Sequence, residues 1–209
     1  MAFKTEEGER IYIKEYEKNL KLCPVPYETF YIPTSYGKTH IIAAGEKNLP
    51  PLILLHGAGV SSAGWFKNIE PLSIHYRIYA LDVIGDMNLS DPTKSIQNGD
   101  DIGKWVCEVL DGMGIDKTSV VAHSAGGYAA LHFVIFAQER VNRLVLLAPA
   151  ASFVPFHKQF FVRLLLINLI RKEKIVNHFF WKWFITKENR YLLSEFNTKQ
   201  FFIGMCNYK

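Results

Sequence analysis

Val120-Val121-Ala122-His123-Ser124-Ala125-Gly126-Gly127 is an apolar strand that ends in a serine and resumes as a helix among small residues. A strand-to-helix bend this tight lifts the serine Oγ above the sheet and leaves the following backbone N–H groups facing a bound molecule. It requires small neighbours, because strand and helix approach closely there. Ala122 stands two residues before Ser124 and Gly126 two after it. The stretch reads as a nucleophile elbow.

Upstream, Pro51-Leu52-Ile53-Leu54-Leu55 reads as a fully buried strand and runs straight into His56-Gly57-Ala58-Gly59. The two glycines free the backbone of that loop. In serine hydrolases built this way, a loop after an early strand contributes one oxyanion N–H and the residue after the nucleophile contributes the other. Ala58 and Ala125 take those positions, with His56, Gly57, Gly59, His123 and Gly126 as supporting residues.

Through this loop, the elbow, the strand end Ala80-Leu81-Asp82-Val83-Ile84-Gly85 and the segment Glu139-Arg140-Val141-Asn142-Arg143-Leu144-Val145-Leu146-Leu147, the chain resembles the α/β-hydrolase superfamily. The run from Phe30-Tyr31-Ile32-Pro33-Thr34 through Ile84-Gly85-Asp86 to Phe153-Val154-Pro155-Phe156-His157 is similar to bacterial carboxylesterases of the naproxen esterase type. The resemblance implies an α/β-hydrolase fold: a mostly parallel sheet with an N-terminal hairpin and a helical cap. It also implies a triad in the order serine, acid, histidine. The acid belongs after the seventh strand, or sometimes the sixth, and the histidine after the eighth. Here the sixth strand runs into Ala148-Pro149-Ala150-Ala151-Ser152 without an acid, and a cap-like stretch fills the rest. Strands seven and eight are expected to be absent from this chain, and the triad acid and histidine with them.

The histidines supply no substitute. His56 and His123 flank the oxyanion loop and the nucleophile and are expected to shape backbone by packing and hydrogen bonding. His132 lies on the following helix, about 12 Å along its axis from Ser124 at the usual rise per residue. His40 and His75 belong to early sheet and helix-end segments, and His157 and His178 to the cap, where they could at most line the pocket. Asp82 and Asp86 follow the fourth strand and read as loop structure, since an aspartate at a strand end caps the next turn through its own side chain. A serine at the elbow disfavours the aspartate-nucleophile branches and narrows the chemistry to acyl transfer.

With 209 residues, 49% apolar and 21% charged, the chain can bury one ordinary core. Three scattered cysteines, Cys23, Cys107 and Cys206, and a start without an apolar signal core point to the cytoplasm. Cys107 falls inside an amphipathic helix and reads as a small packed hydrophobe. The repeat Ile102, Trp105, Val106, Val109, Leu110, Met113 defines that helix, and Gly114 ends it. Residues 1–27 read as a helical, accessory lead-in, residues 28–151 as a partial hydrolase core, and residues 152–209 as the cap segment. Six strands can be placed: a hairpin of Glu28–Ile32 and Lys38–Ala44 around Thr34-Ser35-Tyr36-Gly37, then 52–55, 77–81, 119–123 and 143–147. Alternation of strand and helix argues a parallel sheet.

Charge concentrates in the cap: residues 152–209 hold ten Lys or Arg against three Glu, and 14 of the 29 aromatics, including Phe179-Phe180-Trp181-Lys182-Trp183-Phe184. Either the aromatics face the pocket while lysines cover the solvent side, or the segment engages lipid or an anionic substrate. The run Phe160–Ile170 is 11 residues long, interrupted by Arg163 and Asn168, and too short to span a bilayer. Being apolar nearly all round, it is expected to be buried on most sides, against the sheet or against another subunit.

Other chemistries fit poorly. Gly57-Ala58-Gly59 begins a dinucleotide fingerprint, but Ser62 occupies the third glycine position, and there is no phosphate-binding loop, no HExxH, no paired CxxC and hence no implied metal or cofactor. Nucleic-acid binding would rest on the basic cap alone. The expected activity is hydrolysis of a small-molecule carboxylic ester through an acyl-enzyme on Ser124, with this chain alone nearly inactive. Thioester or carbon–carbon bond hydrolysis uses the same serine chemistry. A non-catalytic small-molecule-binding protein on the same scaffold is the alternative. An open sheet edge implies an oligomer or a complementing C-terminal segment.

Overall fold

The computed structural model describes residues 3–150, 152–153, 158–183 and 198–209. Ala151, the run 154–157 with His157, and Phe184 lie outside the described residues.

Seven strands form one sheet: β1 Tyr27–Thr34, β2 Gly37–Ala44, β3 Pro51–Leu55, β4 Arg77–Leu81, β5 Asp91–Pro92, β6 Thr118–His123 and β7 Val141–Leu147. Their order is β1-β2-β4-β3-β6-β7, with β5 paired to β2. The hairpin β1-β2 and the β2-β4 pair are antiparallel, whereas β4-β3, β3-β6 and β6-β7 are parallel. The six strands expected from the pattern are present, and the two-residue β5 is an addition.

Helices cover both faces: α1 Glu6–Leu20, α2 Phe66–Ser73, α3 Gly99–Gly112, α4 Ala125–Phe136, α5 Lys158–Ile170, α6 Glu173–Trp183 and α7 Thr198–Asn207. Successive strand residues point to opposite faces, so β3 serves two cores at once. Ile53 and Leu55 join Ile41, Leu81, Trp105, Val109 and Phe133 beneath α3 and α4, while Leu52 and Leu54 join Ile42, Ile78, Ile69, Tyr12 and Tyr16 beneath α1 and α2. Burial of each such side chain is worth roughly 1.5–3 kcal/mol. The α3 terminus follows the sequence expectation. Gly114 adopts φ +67°, with Ile115 N–H donating to Leu110 O at 2.9 Å and Gly114 N–H to Asp111 O at 3.0 Å, the two bonds of a Schellman end.

One expectation needs correction. The N-terminal helix is no accessory: Tyr12 and Tyr16 are each 1% exposed, and the Tyr16 hydroxyl meets Ser62 Oγ at 2.8 Å and His40 Nδ1 at 3.2 Å. Within this chain, α5 is covered along one side. Ile167 is buried, but Leu165 is 64% and Leu169 79% exposed. The interior of α5 accepts one stripe, and no described element covers the opposite one.

In register, Leu55 lies opposite Leu81 on one side and Ala122 on the other, and His123 lies opposite Leu147. The carboxyl ends of β3, β4, β6 and β7 are therefore level, and the loops that leave them meet at one edge, where ligands bind in open α/β sheets.

Candidate active site

Ser124 occupies the bend between β6 and α4 with φ 51° and ψ −117°. A side chain other than glycine is strained in that region, and it persists only when its surroundings over-determine it. Four backbone bonds do so here. Ser124 N–H donates to Leu147 O at 3.0 Å, and Ser124 O accepts from Gly127 at 2.9 Å, Tyr128 at 3.3 Å and Ala150 at 2.9 Å. Gly126 is demanded by space: a Cβ there would lie 2.5 Å from the carbonyl oxygens of both Leu55 and His56. Helix α4 thus sits directly on the end of β3, and Ala122, fully buried, permits the same approach from the strand side.

The loop after β3 is fixed from three directions. His56 is buried, donates from Nδ1 to Gly57 O at 2.8 Å and accepts at Nε2 from Val83 N–H at 2.9 Å. Both ring nitrogens are thereby engaged. Gly59, at φ +73°, donates its N–H to the Asp86 carboxylate at 3.0 and 3.1 Å, and Asp86 also accepts from Met87 N–H at 2.7 Å. Phe201 of α7 closes the third side, where a Cβ on Gly59 would lie 2.1 Å from its ring. With Gly59 N–H committed, the N–H groups of Ala58 and Ala125 remain without acceptors among the described residues.

Beneath the loop lies Asp82, fully buried, which accepts from Ser62 N–H at 2.8 Å, His40 Nδ1 at 3.0 Å and Leu89 N–H at 3.2 Å. Burial pushes its carboxyl upward, but the His40 hydrogen bond and charge, with His56 and the Ser62 N–H, outweigh it and hold Asp82 below the ordinary carboxylate range. Asp86 goes the other way. Burial raises it, and the opposing pull of His56 and the two N–H groups does not cancel that rise. Burial and the neighbouring His56 together lower His123, keeping its imidazole neutral.

A cavity of about 360 Å³ opens above these loops. All the residues assigned from sequence to the site except Gly59 and Gly126 line it: His56, Gly57, Ala58, His123, Ser124 and Ala125. Gly59 and Gly126 stand behind as the close-approach positions described above. Opposite them the wall is apolar, built from Trp65, Leu147, Phe160, Leu164, Phe179, Phe180 and Phe201. Of the remaining histidines, His40 is tied to Asp82, His132 packs on Tyr128 and the start of α3 at Gly99, and His75 and His178 are exposed. None among the described residues is hydrogen-bonded to Ser124.

Sequence reasoning assigned Asp82 and Asp86 to loop structure and missed how far they reach, to Ser62 and to Gly59. It also missed Trp65, Asn68 and Phe201 as lining residues. The aromatic density of the C-terminal segment was a signal for the last of these, but helix phase relative to the sheet was not readable.

The alpha/beta hydrolase fold model matches residues 50–201. Carboxylesterase YbfK of Bacillus subtilis (strain 168) is 43% identical over 152 residues, which cover 73% of this chain and 51% of that protein. Among solved structures, naproxen esterase (carboxylesterase NP) from Bacillus subtilis superposes with a TM-score of 0.87 at 36% identity, covering 97% of this chain and 69% of its own. Carboxylesterase CesB (YbfK) from the same species gives 0.86 at 34% identity, covering 96% and 68%. The chain spans about half the length of the curated relatives it matches.

Proposed function

The chain belongs to the α/β-hydrolase family, and from that premise we propose that it is the nucleophile-bearing part of a carboxylic ester hydrolase. The observation that carries this reading is the strained Ser124 at the mouth of an apolar cavity, beside two uncommitted N–H groups. Ser124 Oγ attacks the ester carbonyl, the Ala58 and Ala125 N–H groups receive the oxyanion of the tetrahedral intermediate, the alcohol leaves, and water resolves the acyl-enzyme. The strain is useful because it holds Oγ away from backbone partners before substrate arrives. The proton of Ser124 passes to a histidine paired with an acid, both supplied by a complementing C-terminal segment. Without them, several orders of magnitude in rate are lost and the oxyanion donors alone leave a residue of activity. A volume of about 360 Å³ walled by phenylalanines and Trp65 suits a compact aromatic or branched acyl group. The helical segment from α5 onward acts as the cap.

One observation favours a second reading: Ser124 has no histidine partner among the described residues, as in a scaffold that binds a small apolar molecule without turning it over. A fluorophosphonate probe separates the two. The ester hydrolase reading expects covalent labelling that Ser124→Ala abolishes, together with turnover of p-nitrophenyl esters when the complementing segment is present. Absence of labelling in that complete protein leaves only binding.

A further inference from the structure

Helix α5 is apolar on two opposite faces. The inner one, Phe160, Leu164 and Ile167, packs with α6 and α7 beside the cavity over Ser124. The outer one consists of Val162, Leu165, Leu166, Leu169 and Ile170, which are 42–79% exposed. Steps of three and four place all five on one stripe of the helix. Isolated exposed aliphatics are ordinary, but a contiguous stripe marks a contact surface.

The surroundings of the stripe define the chemistry of that contact. Val162 and Leu166 continue into a groove of about 660 Å³ between α5 and α6, whose polar lining among the described residues is Lys158, Gln159, Arg163, His178 and Lys182, with no carboxylate among them. Across α5, α6 and the turn joining them, six Lys and Arg stand against one carboxylate, Glu173. None of the six forms an ion pair among the described residues. Elsewhere ion pairs do form, as between Arg77 and Glu28 and between Arg140 and Asp111.

We propose that the α5–α6 face docks on an anionic lipid bilayer, with the aliphatic stripe at the boundary between headgroups and acyl chains and the cations among the phosphates. A second copy of the chain fits this face poorly, because a two-fold contact would set the same cations against one another. The helix lies on the membrane and does not cross it: no helix among the described residues is long and apolar enough to span. Phe179 lines both the groove and the cavity over Ser124, so a docked bilayer would stand one side chain away from the cavity. The proposal does not rest on ester hydrolysis, and its test reads no turnover.

The test is flotation of the 209-residue chain with vesicles of phosphatidylcholine alone and of equal parts phosphatidylcholine and phosphatidylglycerol. Binding is expected to the anionic vesicles and to fall steeply with salt. Leu165→Gln with Leu169→Gln, both at exposed positions, should weaken it about tenfold or more. Reversing Lys158, Arg163 and Lys182 to Glu should weaken it by at least about a hundredfold, from the lost contribution of each basic residue near an anionic surface and the repulsion of each new carboxylate. Ile135→Gln on α4, an equally exposed aliphatic at 77%, should leave binding unchanged. Equal binding to both vesicle types, or an equal loss from Ile135→Gln, overturns the proposal as unspecific adsorption. Absence of vesicle binding overturns it too. In that case, self-association removed by the leucine substitutions assigns the face to a second copy, and a monomer assigns it to an acidic protein or a further polypeptide segment.

Discussion

β3 and β7 are both short and rich in aliphatic residues, yet four of the five β3 residues are buried and none of the seven in β7 is. β3 has a parallel neighbour on each side and a helix layer on each face. β7 has β6 on one side and no partner on the other among the described residues, with Val145 47% and Leu147 42% exposed. Helix α4 repeats the contrast within one element: Ala130 and Phe133 are fully buried, whereas Ile135 is 77% exposed. An aliphatic run specifies burial only where neighbours exist to complete it, and the strained serine sits on the strand between these two regimes.

The largest test of that contrast pairs one truncation in each strand. Ile53→Ala in β3, at a fully buried site, should destabilise by about 2–5 kcal/mol. Val145→Ala in β7 should cost less than about 1 kcal/mol, since much of its surface is already in water; urea denaturation of both gives the comparison. Gly126→Ala should cost about 1–3 kcal/mol by overpacking, because its new methyl would meet two backbone oxygens and not a yielding side chain, and it should displace Ser124 as read by loss of probe labelling. Asp82→Asn should cost about 1–3 kcal/mol at neutral pH through lost charge-assisted bonds. Asp82 lies below the ordinary carboxylate range, so its stabilisation is complete above the unfolded value and disappears as pH falls through the lowered folded one. The difference between parent and variant should therefore close on acidification. Smallest in free energy is Val145→Lys, within about 0.5 kcal/mol as a half-exposed substitution, yet it should reduce any self-association at the open edge in sedimentation, as charges on edge strands do.

Much of the site was legible because its residues are local and chemically constrained. Ser124 with Gly126 and Ala122, and the glycines around Ala58, announce tight backbone approach in the sequence itself. Gly37 and Gly114 likewise mark the hairpin and the end of α3. What escaped was long range. Tyr12 and Tyr16 stand four apart on a helix dominated by charge, a pattern that does not reveal burial against β2 and the loop at Ser62. The reach of Asp86 to Gly59 crosses 27 residues, and β5 is too short to carry a period. For the outer stripe of α5, apolar spacing states that a face wants cover and not what supplies it.

One bond pattern has a bearing on how the molecule is made. The Gln200 side-chain amide donates to Tyr12 Oη at 3.0 Å and Ser61 Oγ at 3.1 Å, and its oxygen accepts from Asn19 at 2.9 Å. The first helix to be synthesised therefore holds its polar partners open until a residue 188 positions later is available, a wait of about 10–40 s at ordinary translation rates. During that interval α1 and the loop at Ser61 lack the side chain that joins them, and the nascent chain carries an unfinished site until the first turn of α7 has emerged.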